Sequence, residues 1–287
     1  MKKFIYEGEP SKISGVSERF GISYNALTVL LRKGEIRLNG RKIYDNETVR
    51  GGDEITVYTR PQKPPVIYED MNILAVYKRK GIKSDGGDGF EGEIRETGGD
   101  YGAAELCHRL DTNTDGIVLF AKDAATKYEI LGAFRAQNIE KRYLALVFGA
   151  FDKDGLYTAY SSKDDKAGTV FVSGDCFKGC ERIETRFSRV RFLENSGLSV
   201  VDVAPITGKT HQIRAHLRHL GFFILGDGKY GDERVNRRFR VSKQQLTAYK
   251  IGFNLPETSI LSYLNGKVIE LKNPESFLRI PNSEGFF

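Results

Sequence analysis

Cys107-His-Arg-Leu-Asp-Thr-Asn-Thr-Asp-Gly-Ile-Val-Leu-Phe-Ala-Lys122 is the stretch from which the fold can be read. Residues from His108 to Asp115 are, apart from Leu110, polar or charged, and Gly116 is expected to close a turn. Ile117-Val118-Leu119-Phe120 then runs apolar without alternation, the pattern of a strand buried on both faces. Asp111 therefore sits in a polar loop that feeds directly into a core strand. A carboxylate at the mouth of a rigid sheet can be aimed at a substrate. Arg109, two residues earlier, brings positive charge close to it. By composition alone the same residues make a polar turn, because Asp, Thr and Asn hydrogen-bond their own backbone.

The chain has 287 residues, enough for one large domain or two unequal ones with a sizeable core. Its formal net charge of +6 favours a polyanionic partner. Three cysteines argue against a disulfide framework and for a reducing compartment. Cys176 and Cys180 lack a second pair or a histidine cluster, so zinc is not expected. The N-terminus shows no signal-peptide apolar region, and no run reaches the ~18 apolar residues of a membrane span. The expectation is a soluble, cytoplasmic monomer.

Residues 1–60 read as a compact αβ unit. A first helix is expected from Ser11 to Phe20, with Ile13, Val16 and Phe20 on one face. Ser23 suits the N-cap of a second helix, with Leu27, Leu30 and Leu31 as its stripe and Gly34 as its stop. Asn39-Gly40 is a strong hairpin signal between short strands, and Ile55 and Val57 mark a last strand. Leu31-Arg32-Lys33-Gly34-Glu35-Ile36-Arg37-Leu38-Asn39-Gly40 resembles the S4 RNA-binding domain. Arg32, Lys33, Arg37, Arg41 and Lys42 gather around the helix end and the hairpin, where they suit phosphates. Residues 61–66 are a Pro-rich linker, and 67–287 form the larger domain.

In that domain, Val66–Asp70 and Ile73–Lys78 read as strands around a turn. Ser84 to Tyr101 is polar and Gly-rich, and is expected to be a loop. Asp123 can cap a helix over residues 124–137, with Tyr128, Leu131 and Phe134 towards the core. Residues 141–149 form an apolar strand beginning at Lys141 and Tyr143. Residues 151–182 carry little pattern. Glu184–Phe187 alternates as an edge strand, and Leu198–Val203 is another strand. Thr207-Gly208-Lys209-Thr210-His211-Gln212-Ile213-Arg214 opens a helix. From Gly208 to Lys250, ten Lys or Arg face three Asp or Glu, and Arg237 and Arg238 belong to this second basic surface.

His108-Arg109-Leu110-Asp111, with Thr114, Gly116, Ala121 and Lys122, resembles the catalytic motif of RluA-type pseudouridine synthases. Lys141-x-Tyr143, the Thr207–Arg214 string and Leu225-Gly226-Asp227-Gly228-Lys229-Tyr230-Gly231 are similar to further motifs of that family. Three residues depart from its pattern: Asp115 stands where serine is usual, Lys209 where arginine is, and Arg79 where proline is. The resemblance implies an α+β fold, with an S4-like domain before a catalytic domain on a mixed, mainly antiparallel sheet. It implies isomerisation of uridine to pseudouridine in RNA, without cofactor or essential metal. Large-subunit ribosomal RNA is the expected target, with tRNA a possible one. Asp111 would be the essential carboxylate, either as nucleophile or as base towards a sugar proton. Tyr143 would stack on the flipped uracil and assist proton transfer. Arg214 would pair with Asp111 and fix its rotamer. Arg109 would help extrude the base, and Lys209, His211 and Gln212 would contact RNA. The alternative is a non-catalytic RNA-binding or ribosome-assembly protein that keeps the fold.

Overall fold

The computed structural model describes residues 2–15, 24–58, 65–87, 89–164 and 166–280. The chain divides into two units, Met1–Gln62 and Lys63–Phe287.

The N-terminal unit contains β1 (Lys2–Ile5), β2 (Ser11–Lys12), α1 (Tyr24–Arg32), β3 (Ile36–Leu38), β4 (Arg41–Ile43), β5 (Thr48–Val49) and β6 (Glu54–Val57). Its main sheet has the order β1-β6-β3-β4. Leu27 and Leu31 of α1 are buried with Ile36, Ile43, Ile55 and Val57 of the strands. Gly34 ends the helix, its amide donating to the Leu31 carbonyl at 2.8 Å while the Glu35 amide reaches Leu30 at 2.9 Å. Asn39 and Gly40 have φ of 51° and 81°, the left-handed pair that a tight hairpin between β3 and β4 requires. The helix expected from Ser11 does not form at its start. Ser11–Lys12 instead pairs with β5, and residues 13–15 make a 3-10 turn. Residues 16–20 and the Ser23 cap lie outside the described residues.

The larger unit is built on one twelve-stranded sheet. Its main path, in spatial order, begins with β13 (Thr169–Ser173), β12 (Gly155–Asp164), β14 (Glu181–Leu193), β15 (Leu198–Pro205) and β11 (Ile139–Phe148). It continues through β17 (Leu246–Phe253), β10 (Asp115–Ala121), β8 (Ile73–Lys78) and β7 (Val66–Glu69). The short strands β9 (Glu105–Leu106), β16 (Phe223–Ile224) and β18 (Val268–Glu270) pair with β10, β11 and β17. The β10–β17 pair is parallel and the other pairings are antiparallel, matching the mixed, mainly antiparallel expectation. Around the sheet lie α2 (Phe90–Glu96), α3 (Ala124–Arg135), α4 (Gln212–His219) and α5 (Glu233–Arg238).

β10 explains its own sequence. Ile117 and Leu119 enter one core layer, while Val118 and Phe120 enter the other. All four are fully buried, and burying each contributes about 1.5–3 kcal/mol. A strand covered on both faces has no position for an outward polar residue, hence the unbroken apolar run. Gly116 does not close a turn. It lies within β10 at φ 122°, paired with Ala248, and a Cβ there would sit 2.1 Å from the Ala248 carbonyl oxygen. Only glycine lets the two backbones approach so closely.

Several other expectations need correction. The stretch 84–101 is not simply a loop. Phe90 and Ile94, one helical turn apart, are buried on α2, and the Phe90 ring packs edge-on against Phe120. Asp123 caps α3, accepting from the Thr126 amide at 2.8 Å, and Phe134 packs against the core as expected, but Tyr128 and Leu131 do not. Thr126, Ile130 and Ala133 are buried, whereas Tyr128 is 72% exposed and Leu131 36%. Glu184–Phe187 belongs to β14, an interior strand between β12 and β15. The weakly patterned region after residue 151 contains the β12–β13 hairpin.

Candidate active site

The Asp111 loop is held on several sides. Ser84 Oγ accepts from the Leu110 amide at 2.9 Å and donates to the Leu110 carbonyl at 2.7 Å. The Thr112 carbonyl accepts from the Gly81 amide at 2.7 Å and from Lys78 Nζ at 3.3 Å. Thr114 closes the turn with its amide on the Asp111 carbonyl at 3.0 Å, and its hydroxyl accepts from Gln244 at 2.5 Å. Lys78 is fully buried, and burial pushes its ammonium down to about 8. Its other partners are the carbonyls of Ile82, at 2.8 Å, and Arg79. The aspartate thus sits in a turn clamped from behind.

Across the cleft, α4 is anchored by its first residue. Gln212 accepts from the Thr207 hydroxyl at 2.8 Å and the Lys209 amide at 3.0 Å. It donates to the Glu184 carbonyl at 2.9 Å and the Thr185 hydroxyl at 3.1 Å. Arg214 then projects from α4 between two carboxylates. Its Nε and Nη2 make a bidentate fork with Asp227 at 2.6 and 2.8 Å, and its Nη1 donates to Asp111 Oδ2 at 2.8 Å. Burial alone would lower the Arg214 pKa, but the hydrogen bonds and charge of Asp227, with the charge of Asp111, raise it above the ordinary arginine value. Arg214 stays cationic, and no hydrogen bond from the described residues reaches Asp111 Oδ1.

Asp227 is buried, and burial would raise its pKa. The Arg214 fork and the amides of Lys229 and Tyr230 overcome this and hold it below the usual carboxylate range. Tyr230 stacks under the Arg214 guanidinium, 5.0 Å from its ring centre, and its hydroxyl bonds His211 Nδ1 at 3.0 Å. Burial lowers the His211 pKa against the opposing charge of Asp111. On β11, Tyr143 is buried. Burial, with the Asp111 charge added, pushes its hydroxyl above the ordinary tyrosine value. It therefore carries its proton at neutral pH.

Asp111, Tyr143, Arg214, Arg109, Lys209, His211 and Gln212 all line this one cleft, a cavity of about 100 Å³. Arg109 stands at its mouth, 68% exposed, paired with Asp85 at 2.8 Å. Lys209 is exposed and pairs with Glu181 at 2.5 Å. Gln212 differs from expectation: it is 4% exposed and both ends of its amide are engaged by the scaffold, so it shapes the wall instead of offering itself to RNA. Arg237 and Arg238 are exposed on α5, outside the cleft lining, and Arg237 pairs with Glu233. In the N-terminal unit Arg32, Lys33 and Lys42 are exposed, Arg41 makes a bidentate pair with Glu47, and Arg37 lies over the Tyr58 ring at 4.9 Å.

Asp227, Ser84 and Lys78 were not among the sequence-derived candidates. Asp227 had a visible signal, since it lies in the Gly-Asp-Gly-Lys-Tyr-Gly turn. Nothing local distinguishes it from a turn aspartate until α4 brings Arg214 to it. Ser84 carries no signal, being one serine in a Gly-rich stretch.

Residues 72–219 match the model of the RNA pseudouridylate synthase family, a little over half of the chain. The chain belongs to that family. As an RNA pseudouridine synthase it is an isomerase that converts uridine to pseudouridine in RNA. Among curated relatives, an uncharacterized RNA pseudouridine synthase of Mycoplasma genitalium is 32% identical over 265 residues, covering 80% of each chain. The ribosomal large subunit pseudouridine synthase C of Vibrio cholerae is 30% identical, covering 79% of each. In fold, the synthase resembles human RNA pseudouridylate synthase domain containing 1, with a TM-score of 0.61 at 22% identity. The match covers 77% of this chain and 87% of that one. The motif residues Asp111, Tyr143 and Arg214 lie inside the matched segment, and Asp227 lies beyond it.

Proposed function

We propose that Asp111 is the essential carboxylate of this synthase and that its substrate is large-subunit ribosomal RNA. The observation that carries the first part is the division of Arg214 between two aspartates. Asp227 takes the fork and fixes the guanidinium, so the remaining Nη1 holds one oxygen of Asp111 and aims the other at the cleft. The reaction detaches uracil from C1′, turns it, and joins C1′ to C5, after which the C5 hydrogen leaves as a proton. Asp111 acts on the sugar side of this exchange, as nucleophile or as base.

Reaching the cleft requires the nucleotide to leave its stack, at about a few kcal/mol in a paired region and less in a loop. Arg109 suits the space the base vacates. Its pair with Asp85 is exposed, and such pairs contribute about 0–1 kcal/mol, so it opens readily to RNA. Tyr143 stacks on the flipped uracil. With its pKa raised, it donates a hydrogen bond and is no resting phenolate.

The ribosomal target is supported by the names of relatives such as the Vibrio cholerae enzyme. The N-terminal unit fits an S4-like RNA-binding role, with Arg32, Lys33 and Lys42 exposed near its hairpin and helix end. Mapping pseudouridines in large-subunit RNA from cells lacking the protein tests the target. At least one site should disappear and return with the wild-type protein but not with Asp111→Asn. An unchanged ribosomal map, with a site lost from tRNA, would contradict the target.

A further inference from the structure

A larger cavity, of about 530 Å³, opens on the other core layer of the sheet, away from the Asp111 cleft. Lys80, Lys243 and Arg279 line it with Ser242, Ser276 and one carboxylate, Asp115. That carboxylate is already satisfied. Asp115 is 4% exposed, and accepts from the Tyr77 hydroxyl at 2.6 Å and the Thr247 hydroxyl at 2.7 Å. Lys80 Nζ lies 3.6 Å from it. Among the described residues, the lining holds three cations and one engaged anion. Lys80 is held largely out of water, its side chain 14% exposed, so its charge is weakly screened. Lys243 lies near it, its Nζ passing over Gly81, 2.8 Å from where a Cβ would sit. Arg279 is fixed by its amide on Gln245 at 2.7 Å and by one guanidinium nitrogen on the Arg240 carbonyl at 3.0 Å.

We propose that this cavity binds a phosphodiester of the RNA substrate, a few nucleotides from the reacting uridine. Positive charge gathered in a concavity suits a phosphate oxygen cluster. The position fits a track leading from the active cleft. Asp111 lies four residues before Asp115, the first residue of β10, so their Cα atoms are at most about 14 Å apart. RNA held by the cleft can therefore reach round the end of the sheet to this site. The inference rests on RNA as the substrate, and is independent of the role of Asp111 and of which RNA is modified.

The test uses the full chain and an unmodified large-subunit ribosomal RNA transcript. Lys243→Glu and Arg279→Ala are compared with wild type and with Lys153→Glu, a half-exposed surface change outside the cavity. Lys80 is left intact because it is the cation beside the buried Asp115 carboxylate, so its removal would also perturb the fold. Dissociation constants are measured across potassium chloride concentrations, and KM and kcat by tritium release from C5-labelled uridine. The slope of log Kd against log salt should fall by roughly 0.7–0.9 for each cavity variant. KM should rise severalfold with kcat unchanged. Equal slopes in wild type and both cavity variants would overturn the proposal, as would an equal change in Lys153→Glu. Inorganic phosphate is titrated in parallel, following the melting temperature. Phosphate stabilisation that the variants lose, with RNA affinity unchanged, would mark a free-anion site and also overturn it. Because the slope comes from binding alone, it remains readable if the wild type releases no tritium, an outcome that would instead count against the catalytic reading.

Discussion

Two aspartates share one guanidinium, and their surroundings assign them different work. Asp227 has a fully buried side chain and accepts two bonds from Arg214 and two from backbone amides. Asp111 keeps 28% of its side chain exposed and takes a single bond from the same arginine. The first is a scaffold whose every acceptor is engaged. The second is oriented but not exhausted, as a group must be if it is to meet a substrate. What separates them is the tertiary setting, since both stand in short turns.

The contrast can be broken first with the carboxylates themselves. Asp111→Asn should lower turnover on the order of 10³-fold or more, while costing only about 1–2 kcal/mol in urea unfolding. Asp227→Ala should do the reverse in emphasis. It leaves a buried cation without its fork and should cost about 3–5 kcal/mol, measured by the same unfolding experiment. Its activity loss should follow from a misplaced Asp111, so Asp227→Asn, which keeps the shape, should recover part of it. If both aspartates prove equally important to stability, the division of labour is wrong.

Arg214→Lys sharpens the comparison from the shared partner. The charge survives but the three-nitrogen geometry does not, so kcat should fall about 10–100-fold with KM little changed. Tyr143→Phe keeps the ring and removes the donor. A fall in kcat of about 10-fold with unaltered RNA affinity is expected, and lost affinity would contradict stacking by the ring.

The last prediction concerns pH. His216 lies on α4, buried, with Nδ1 3.0 Å from the Thr185 hydroxyl. Burial, with the charge of His219 added, pushes it down to about 4. Between pH 6.5 and about 4 the unfolded chain binds a proton at this site that the folded chain refuses. Stability is therefore complete above pH 6.5 and falls as pH drops through that window, by at most about 1.4 kcal/mol per unit. His216→Gln should reduce the slope of this part of the urea-unfolding profile, leaving the contribution of His108, which burial pushes down to about 3. Asp227, lowered in the fold, adds a separate loss only at more acidic pH.

The same contrast explains what could be read from the chain and what could not. The β10 run was legible because burial on both faces leaves a continuous apolar signature, and Asn39-Gly40 because a tight hairpin needs two left-handed residues. The Asp111, Tyr143 and Arg214 positions were visible as strings. α2 was not, since only Phe90 and Ile94 anchor it among glycines and charges. The inward face of α3 was misread because small residues, Thr126 and Ala133, fit against the sheet where Tyr128 and Leu131 do not. Gln212 looked like a polar contact residue because nothing local shows that Thr207, Glu184 and Thr185 will surround it. Asp227 lies thirteen residues from Arg214, and only the turn after β16 brings the two together.

The most direct measurement is tritium release from RNA carrying uridine labelled at C5, by wild type and by Asp111→Asn at saturating RNA. Joining C1′ to C5 expels that hydrogen, so release counts completed isomerisations. Release by wild type, with none from a folded Asp111→Asn that still binds RNA, is the predicted result. Equal release by the two proteins would show that the exposed aspartate is not the one that reacts.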